Sequence, residues 1–566
     1  MSEQDVQKLS KVEQIKADSR HLRGTIAEAL QDGTTHFSEE NVQVLKFHGV
    51  YQQDDRDLRK ILKKEGKERA YTMMVRARIP GGVLNADQYL QFDRLGDMYG
   101  GGSLRITTRQ TFQLHYILKS NLKETIRGIN EVLLTTLGGC GDQVRNTVCC
   151  AAPHHGAFYD QVREDLLSVV NAVSAKTNAY HEIWLDGQKV DLGNDAEEEP
   201  LYGRTYLPRK FKIAFTYEGD NCCDVYSHDI GVVAHRDGDA VAGYTLIVGG
   251  GMGRTASDKN THPALGQPLA FVTRAQLLDV CTAIVKVQRD YGNRVDRKFA
   301  RMKYLIEKRG LDWFRRQVEA YYGGELQPPR ELKWESSADH LGSHRDESGK
   351  AYIGIFVENG RLRDTAAVPL KSLLRDIVAK YRPVIRLTTQ QNMILSELTE
   401  SQVREIEEIL RGAGVPLAEE LPPSRLESMA CVALPTCGLA IAESERVFPK
   451  VIREFEAMLQ ELGLGDTPVS LRMTGCPNGC ARPYIAEIGF VGRVIGKYDV
   501  FLGASPDGSR MNTLFKEMVP LAELASTLRP LLQAYAAERQ PGERFGDYCH
   551  RVGFDRLHAL ETLSVS

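Results

Sequence analysis

Long apolar runs are missing from this chain: none approaches the roughly eighteen consecutive residues that mark a membrane-crossing helix. The polar opening, MSEQDVQKLSKVEQIKADSR, has no apolar h-region, so no secretory signal is expected and the protein is expected to be cytoplasmic. An excess of one charge is missing too. Lys and Arg number 72 against 75 Asp and Glu, a formal net charge of -3, which gives no reason to expect a nucleic acid or a membrane as partner. A convincing dinucleotide fingerprint is also absent. GGGMGR at 249–254 is glycine-rich but lacks a strand–G-x-G-x-x-G–helix frame, so it reads as a loop, and no flavin or nicotinamide domain is evident.

What is present starts with size. The 566 residues are too many for one core and predict about three or four domains at roughly 150 residues each. Residues 1–65 read as an N-terminal extension, with a helix expected within Val12–Leu30, that either packs across the domains or holds a partner.

Beyond it the chain repeats itself. Ala70-Tyr71 and Ala351-Tyr352 open similar strand-like runs, and LRITTRQTFQLH at 104 matches IRLTTQQNMILS at 385, both with an offset of 281. CCAAP at 149–153 matches CVALP at 431–435 with an offset of 282, which sets Cys149 opposite Cys431. Each repeat holds a small strand–helix–strand unit (66–135 and 346–412) followed by a larger α/β segment (140–330 and 420–566). Asn85–Met98, Asn121–Leu137 and 370–382 read as helices, and 186–200 and 325–350 as loops or linkers. The fold class expected is a duplicated α+β architecture with pseudo-twofold symmetry and a cofactor between the halves.

Eleven cysteines in such a chain argue against a disulfide framework and towards metal ligation or simple burial. CVALPTC at 431–437 and CPNGC at 476–480 offer Cys431, Cys437, Cys476 and Cys480. Four thiolates are what a 4Fe–4S cluster requires. Structural zinc is the competing reading, but it favours two-residue gaps, whereas these are five and three. Cys140, Cys149, Cys150, Cys222, Cys223, Cys281 and Cys549 show no second paired spacing and are expected to be structural thiols.

Basic residues form the second constellation. Alternation puts Arg76 with Arg78, Lys210 with Lys212, and Arg105 with Arg109 on shared faces, and Arg145 stands in a turn before the cysteine pair. Solvated sheet edges would explain any one of them. Across the repeat, however, Arg76 falls opposite Val357 and Arg109 opposite Gln390, so the cations concentrate in the half without the paired cysteines. One half supplying a cationic pocket and the other a redox centre suits an enzyme that reduces a small oxyanion.

Motifs from FHGVYQQDDRD through RITTRQTFQLH, YLPRKFK, QRDYGNRVDRK, CVALPTCGLAIAESER and MTGCPNGCARPYIAEIGFVG to ERFGDY make the sequence similar, over nearly its whole length, to the siroheme-containing sulfite and nitrite reductases. The resemblance is strongest to the hemoprotein subunit of the NADPH-dependent sulfite enzymes. It implies two ferredoxin-like units and two siroheme-binding segments. It implies that Cys431, Cys437, Cys476 and Cys480 bind a 4Fe–4S cluster, with Cys480 also bridging to the siroheme iron. It implies substrate-binding roles for Arg76, Arg145, Lys210 and Lys212, and siroheme contacts for Arg105, Arg109, Gln113, Arg209, Asn478 and Arg301. Arg301 replaces a lysine usual at that position. The resemblance further implies sulfite as substrate, since the nitrite branch typically has asparagine in place of the second lysine, here Lys212. Nitrite remains the alternative. NADPH, FAD and FMN would act only through a flavoprotein partner, with ferredoxin as the other donor type. A non-catalytic cluster-binding scaffold is disfavoured by retention of both constellations.

Overall fold

The computed structural model describes residues 9–176, 183–185, 188–190 and 198–563. The loop expected over 186–200 lies mostly outside them. Among the described residues no helix is long and apolar enough to cross a membrane.

Four five-stranded sheets carry the fold, two small and two large. The small sheets exchange strands. The first is built from Val50–Asp54, Tyr71–Arg76, Phe112–Ile117 and Ser103–Ile106, and its fifth strand, Arg361–Arg363, comes from the second repeat. The second small sheet takes Val83–Leu84 from the first repeat in the same way, with Ile385 opposite Leu84. A tight turn sends each strand across. Gly81 and Gly82 have φ of 63° and 73°, and a Cβ on Gly82 would lie 2.7 Å from Leu387 O. Asn359 and Gly360 repeat this geometry at 54° and 72°, with Gly360 against Ile106 O. Only glycine fits those two close approaches. The exchange leaves the small units with one continuous apolar core, in which Met73, Ile106 and Leu114 pack with Ile353, Ile385 and Leu395.

The large sheets are equivalent strand for strand. Val148–Cys149, Ile213–Tyr217 and Ile230–Asp237 run parallel and are followed by two antiparallel strands. Met429–Ala430, Leu471–Thr474 and Ile488–Val494 do the same in the second repeat. Long helices, Ala157–Ala172 with Leu277–Tyr291 and Phe448–Glu461 with Leu524–Glu538, cover the sheets and enclose two further cores.

Register corrects two sequence correspondences. Val148 pairs with Ala214 as Met429 pairs with Arg472, so Cys150, not Cys149, stands at the position of Cys431. Arg76 pairs with Gln113 as Gly354 pairs with Ile394, so the counterpart of Arg76 is Gly354 rather than Val357. The second half still lacks that cation. The helix expected within Val12–Leu30 is broken into Lys11–Ala17 and Ile26–Ala29. Arg20, His21, Leu22 and Gly24 take positive φ between them, which buries Leu22 and accommodates a hydrogen bond from its amide to Ser19 Oγ. The stretch 325–350 is not wholly loop, since it supplies the strands Trp334–Ser336 and Gly342–Arg345.

Candidate cluster and anion site

The cysteine quartet forms where the second large sheet ends. Cys431 follows the strand Met429–Ala430, and its amide donates to Met473 O at 3.1 Å. Cys476 follows the neighbouring parallel strand, Leu471–Thr474. A turn through Ala433, with φ of 46°, brings Cys437 back so that its amide donates to Ala433 O at 2.9 Å. The Pro-Asn-Gly turn delivers Cys480, the one exposed cysteine of the four. Donors already point at sulfur: Gly475 N to Cys431 Sγ at 3.3 Å and Asn478 Nδ2 to Cys476 Sγ at 3.5 Å.

The four thiols lie close enough to feel one another. Burial first, then the charges of Cys480 and Cys476, pushes Cys431 up to about 12. Burial and then Cys480 push Cys437 to about 11 and Cys476 to about 12. Gathered thiols that resist ionisation together call for a cationic centre to receive them as thiolates. The donor set, four sulfurs and no imidazole, fits an iron–sulfur cluster.

Cys480 lies near a group of basic residues. Its sulfur acts electrostatically on both Lys210 and Lys212, which emerge side by side before the strand Ile213–Tyr217. Arg76, Arg145, Arg209, Lys210, Lys212 and Asn478 are each partly accessible. Burial, then Arg209 and Arg145, lowers Lys210 to about 7. Burial, then Lys210 and Arg109, holds Lys212 well below its ordinary value. Burial and Arg297 bring Arg209 to about 10. Arg109 falls to about 9 through burial and the neighbouring Arg145 and Arg482. Arg109 Nε and Nη1 and Arg76 Nε are buried without a hydrogen-bond partner. Crowded, under-compensated donors of this kind are matched by an anionic ligand. A polycarboxylate tetrapyrrole fits them.

The other sequence-predicted residues divide. Gln113 is buried in register between Arg76 and Arg105. Arg105 is committed to protein, with Nε to Glu445 Oε2 at 3.0 Å and Nη2 to Ala430 O at 2.9 Å, and so braces the cluster strand. Arg301 pairs with both oxygens of Asp229, at 3.0 and 2.9 Å through Nη2, and donates to Gly250 O. Asn478 O lies against Gly253, and Arg254 N donates to Pro477 O at 3.0 Å, so GGGMGR is a loop clamping the cluster turn.

Sequence reasoning missed several participants. Arg56, from the extension, donates to Ala440 O at 2.6 Å and Cys437 O at 3.3 Å, so the extension packs across the cluster loop. Tyr51 Oη accepts from Arg145 Nη2 at 3.4 Å. Buried Arg482 pairs with Asp224 and donates to Thr389 O. Lys303 donates to Gly251 O and Gly253 O, each at 2.9 Å. Only Arg482 carried a signal, being the lone charge in the motif directly after CPNGC.

Fold and donor set together suit an iron–sulfur oxidoreductase scaffold, doubled by duplication, with a group of cations beside the cysteine quartet. The nitrite and sulphite reductase 4Fe-4S domain is matched at residues 164–326 and 426–562. The nitrite/sulfite reductase ferredoxin-like half domain is matched at 64–132 and 344–413. The chain therefore belongs to the nitrite and sulphite reductase family. It is 43% identical to the sulfite reductase (NADPH) hemoprotein beta-component of Staphylococcus carnosus (strain TM300), over 96% of each chain. It is also 43% identical to the protein of that name from Shouchella clausii (strain KSM-K16), again over 96% of each. The solved structure of the Mycobacterium tuberculosis NirA protein superposes with a TM-score of 0.78 at 23% identity, covering 97% of both chains, and so shares the fold.

Proposed function

We propose that the chain reduces sulfite to sulfide, as the hemoprotein subunit of an assimilatory, cytoplasmic sulfite reductase that serves cysteine biosynthesis. The observation that carries this reading is the lysine pair, Lys210 and Lys212, both within electrostatic reach of Cys480 and of each other. Cys431, Cys437, Cys476 and Cys480 would hold the 4Fe–4S cluster, Cys480 also serving the siroheme iron. Arg109, Arg209, Gln113 and Asn478 would contact siroheme, with Arg105 and Arg301 acting from behind. When bound, the coupled cofactors supply the electrons and the iron that takes the substrate.

The protein's own work is clamping and proton supply. Taking sulfur from +4 to −2 needs six electrons, and six protons leave with three oxygens as water. Arg76 and Arg145 stay charged and present forked donors suited to a pyramidal oxyanion. Lys210, at about 7, exchanges protons near neutrality, and Lys212, crowded by Lys210 and Arg109, is likewise held well below its ordinary value. The lysines, recharged through water, are therefore the proton donors and the arginines the clamp.

Electrons would come from NADPH, which the relatives' names carry, and would arrive through a flavoprotein partner holding FAD and FMN. The deciding experiment gives siroheme-loaded protein reduced methyl viologen with sulfite or nitrite and compares kcat/KM. Sulfite consumed to stoichiometric sulfide is the expected result. A strong preference for nitrite would reassign the substrate.

A further inference from the structure

The pseudo-twofold axis carries the cluster site onto a second place in the fold. Cys150 occupies the register position of Cys431. The left-handed residue Asp224, φ 49°, precedes the short turn Val225–Ser227 as Arg482, φ 53°, precedes Pro483–Ile485. Counting back two residues from each sets Cys222 opposite Cys480. The first half thus keeps two of the four cysteine positions. In place of the other two sulfurs, Asp220 and His340 converge. The four ligand atoms all lie within 4.8 Å of one another. Cys150 Sγ is 2.9 Å from Asp220 Oδ2 and 3.3 Å from His340 Nε2, and those last two atoms are 3.1 Å apart.

We propose that Cys150, Asp220, Cys222 and His340 form a mononuclear site for a divalent cation of the zinc type. Two thiolates, one imidazole and one carboxylate are a donor set zinc accepts, and bonds of about 2.0–2.3 Å set the corners of its tetrahedron about 3.3–3.8 Å apart. The two spacings to His340 need to open by a few tenths of an ångström and the Cys150–Asp220 one by about 0.6 Å, while Cys222 Sγ lies within 4.8 Å of the other three. Atoms so close enclose one ion and leave no room for a four-iron cubane.

The ligands are held from behind, as metal ligands are. Asp220 Oδ1 accepts from Cys222 N at 2.8 Å. Cys222 O accepts from Thr389 Oγ1 at 2.7 Å. The His340 amide donates to Asp339 Oδ1 at 3.2 Å, and Asp339 Oδ2 is fixed by Thr388 Oγ1 at 2.5 Å and Asn392 Nδ2 at 2.9 Å. Both thiols are buried, while the His340 and Asp220 side chains are 23% and 16% exposed, so solvent reaches the group at those two ligands. Cys150 and Cys222 belong to the first repeat, His340 to the segment joining the repeats, and Thr388 and Thr389 to the second. A bound ion would clip the halves together.

The test counts metals in siroheme- and cluster-loaded enzyme equilibrated with micromolar zinc and then desalted. We expect one zinc per chain beyond the iron, falling to none in Cys150→Ser/Cys222→Ser with iron content and siroheme absorbance unchanged. His340→Ala, at a partly exposed position, is the second variant should the double one fail to take up siroheme. Cobalt loading of the wild type should give the intense d–d bands of a tetrahedral thiolate site, lost in the same variants. No retained zinc, or zinc retained equally by the variants, overturns the proposal. A Cys150–Cys222 disulfide found by mass spectrometry in holoenzyme never exposed to zinc also overturns it.

Discussion

Replacing Glu445 by Gln should cost more stability than any other single change at the cluster's edge. Glu445 receives Arg361 through both oxygens, at 2.7 and 3.0 Å, and Arg105 Nε at 3.0 Å. Its amide donates to Cys431 O at 3.1 Å. Arg361 and Arg105 face each other across the exchanged strand, so one carboxylate ties that exchange to the cluster loop. Burial alone would raise its pKa, but Arg361 and then Arg105 outweigh burial and hold it at about 2, against an ordinary 4.5. At 1.36 kcal/mol per unit, that depression is worth about 3.4 kcal/mol, close to the roughly 3–5 kcal/mol for removing one partner of a buried ion pair. The folded pKa is depressed, so the stabilisation is fully present above about 4.5 and lost as pH falls through about 2. The gap between wild type and Glu445→Gln should be about 3.4 kcal/mol at pH 7 and narrow to about 2 kcal/mol by pH 3.5. Urea unfolding of both proteins, followed by tryptophan fluorescence, measures it. A gap below about 1 kcal/mol at pH 7, or one that does not shrink on acidification, refutes the reasoning.

Arg109→Met removes the buried unpaired donors and should weaken siroheme retention about tenfold to a hundredfold, the range of one or two charge-assisted hydrogen bonds. Competition of bound siroheme against apo wild type reads it. Lys212→Met should lower kcat for sulfite well beyond any change in KM, and unaltered solvent isotope effects would argue against its proton role. A donor works only while protonated, and an anionic cofactor raises its pKa, so the alkaline limb of kcat should lie at or above pH 7 and be weaker in Lys210→Met. Arg56→Ala frees two carbonyls of the cluster loop and should speed cluster loss in air, measured as the fall in iron per chain, without altering the siroheme band of freshly loaded protein.

The gathering of Cys431, Cys437, Cys476 and Cys480 was legible because cysteines paired at gaps of five and three in a turn-rich context have few other uses. The proximity of Lys210 and Lys212 was legible from their two-residue spacing, although both stand just before the strand Ile213–Tyr217 rather than in it. Repeat register was read well at Arg105 and Arg109, where the matching strands have no insertion between them. It slipped by three residues at Arg76, since the segment joining that strand to Ser103–Ile106 is three residues shorter than its counterpart in the second repeat. It slipped by one at Cys149, where two adjacent cysteines offer identical letters while the strand sends them to opposite faces. Strand exchange left no mark in the sequence. Val83–Leu84 and Arg361–Arg363 are too short to show a period, and their partners lie hundreds of residues away. His340 was hidden for a different reason. It stands in a polar stretch whose composition reads as linker, and its neighbours Cys150 and Asp220 come from distant parts of the chain.

The reciprocal strands have a consequence for how the molecule is made. A ribosome completes Ser103–Ile106 long before it reaches Arg361–Arg363, which closes that edge. The 363 − 106 = 257 residues between them take about 13–50 s at 5–20 residues per second. Through that interval the nascent first half carries an open sheet edge and an apolar face that only its sibling can cover, the condition in which strands from neighbouring chains pair wrongly. A chain cut between its repeats should therefore yield two pieces that rescue each other when made together and aggregate when made apart.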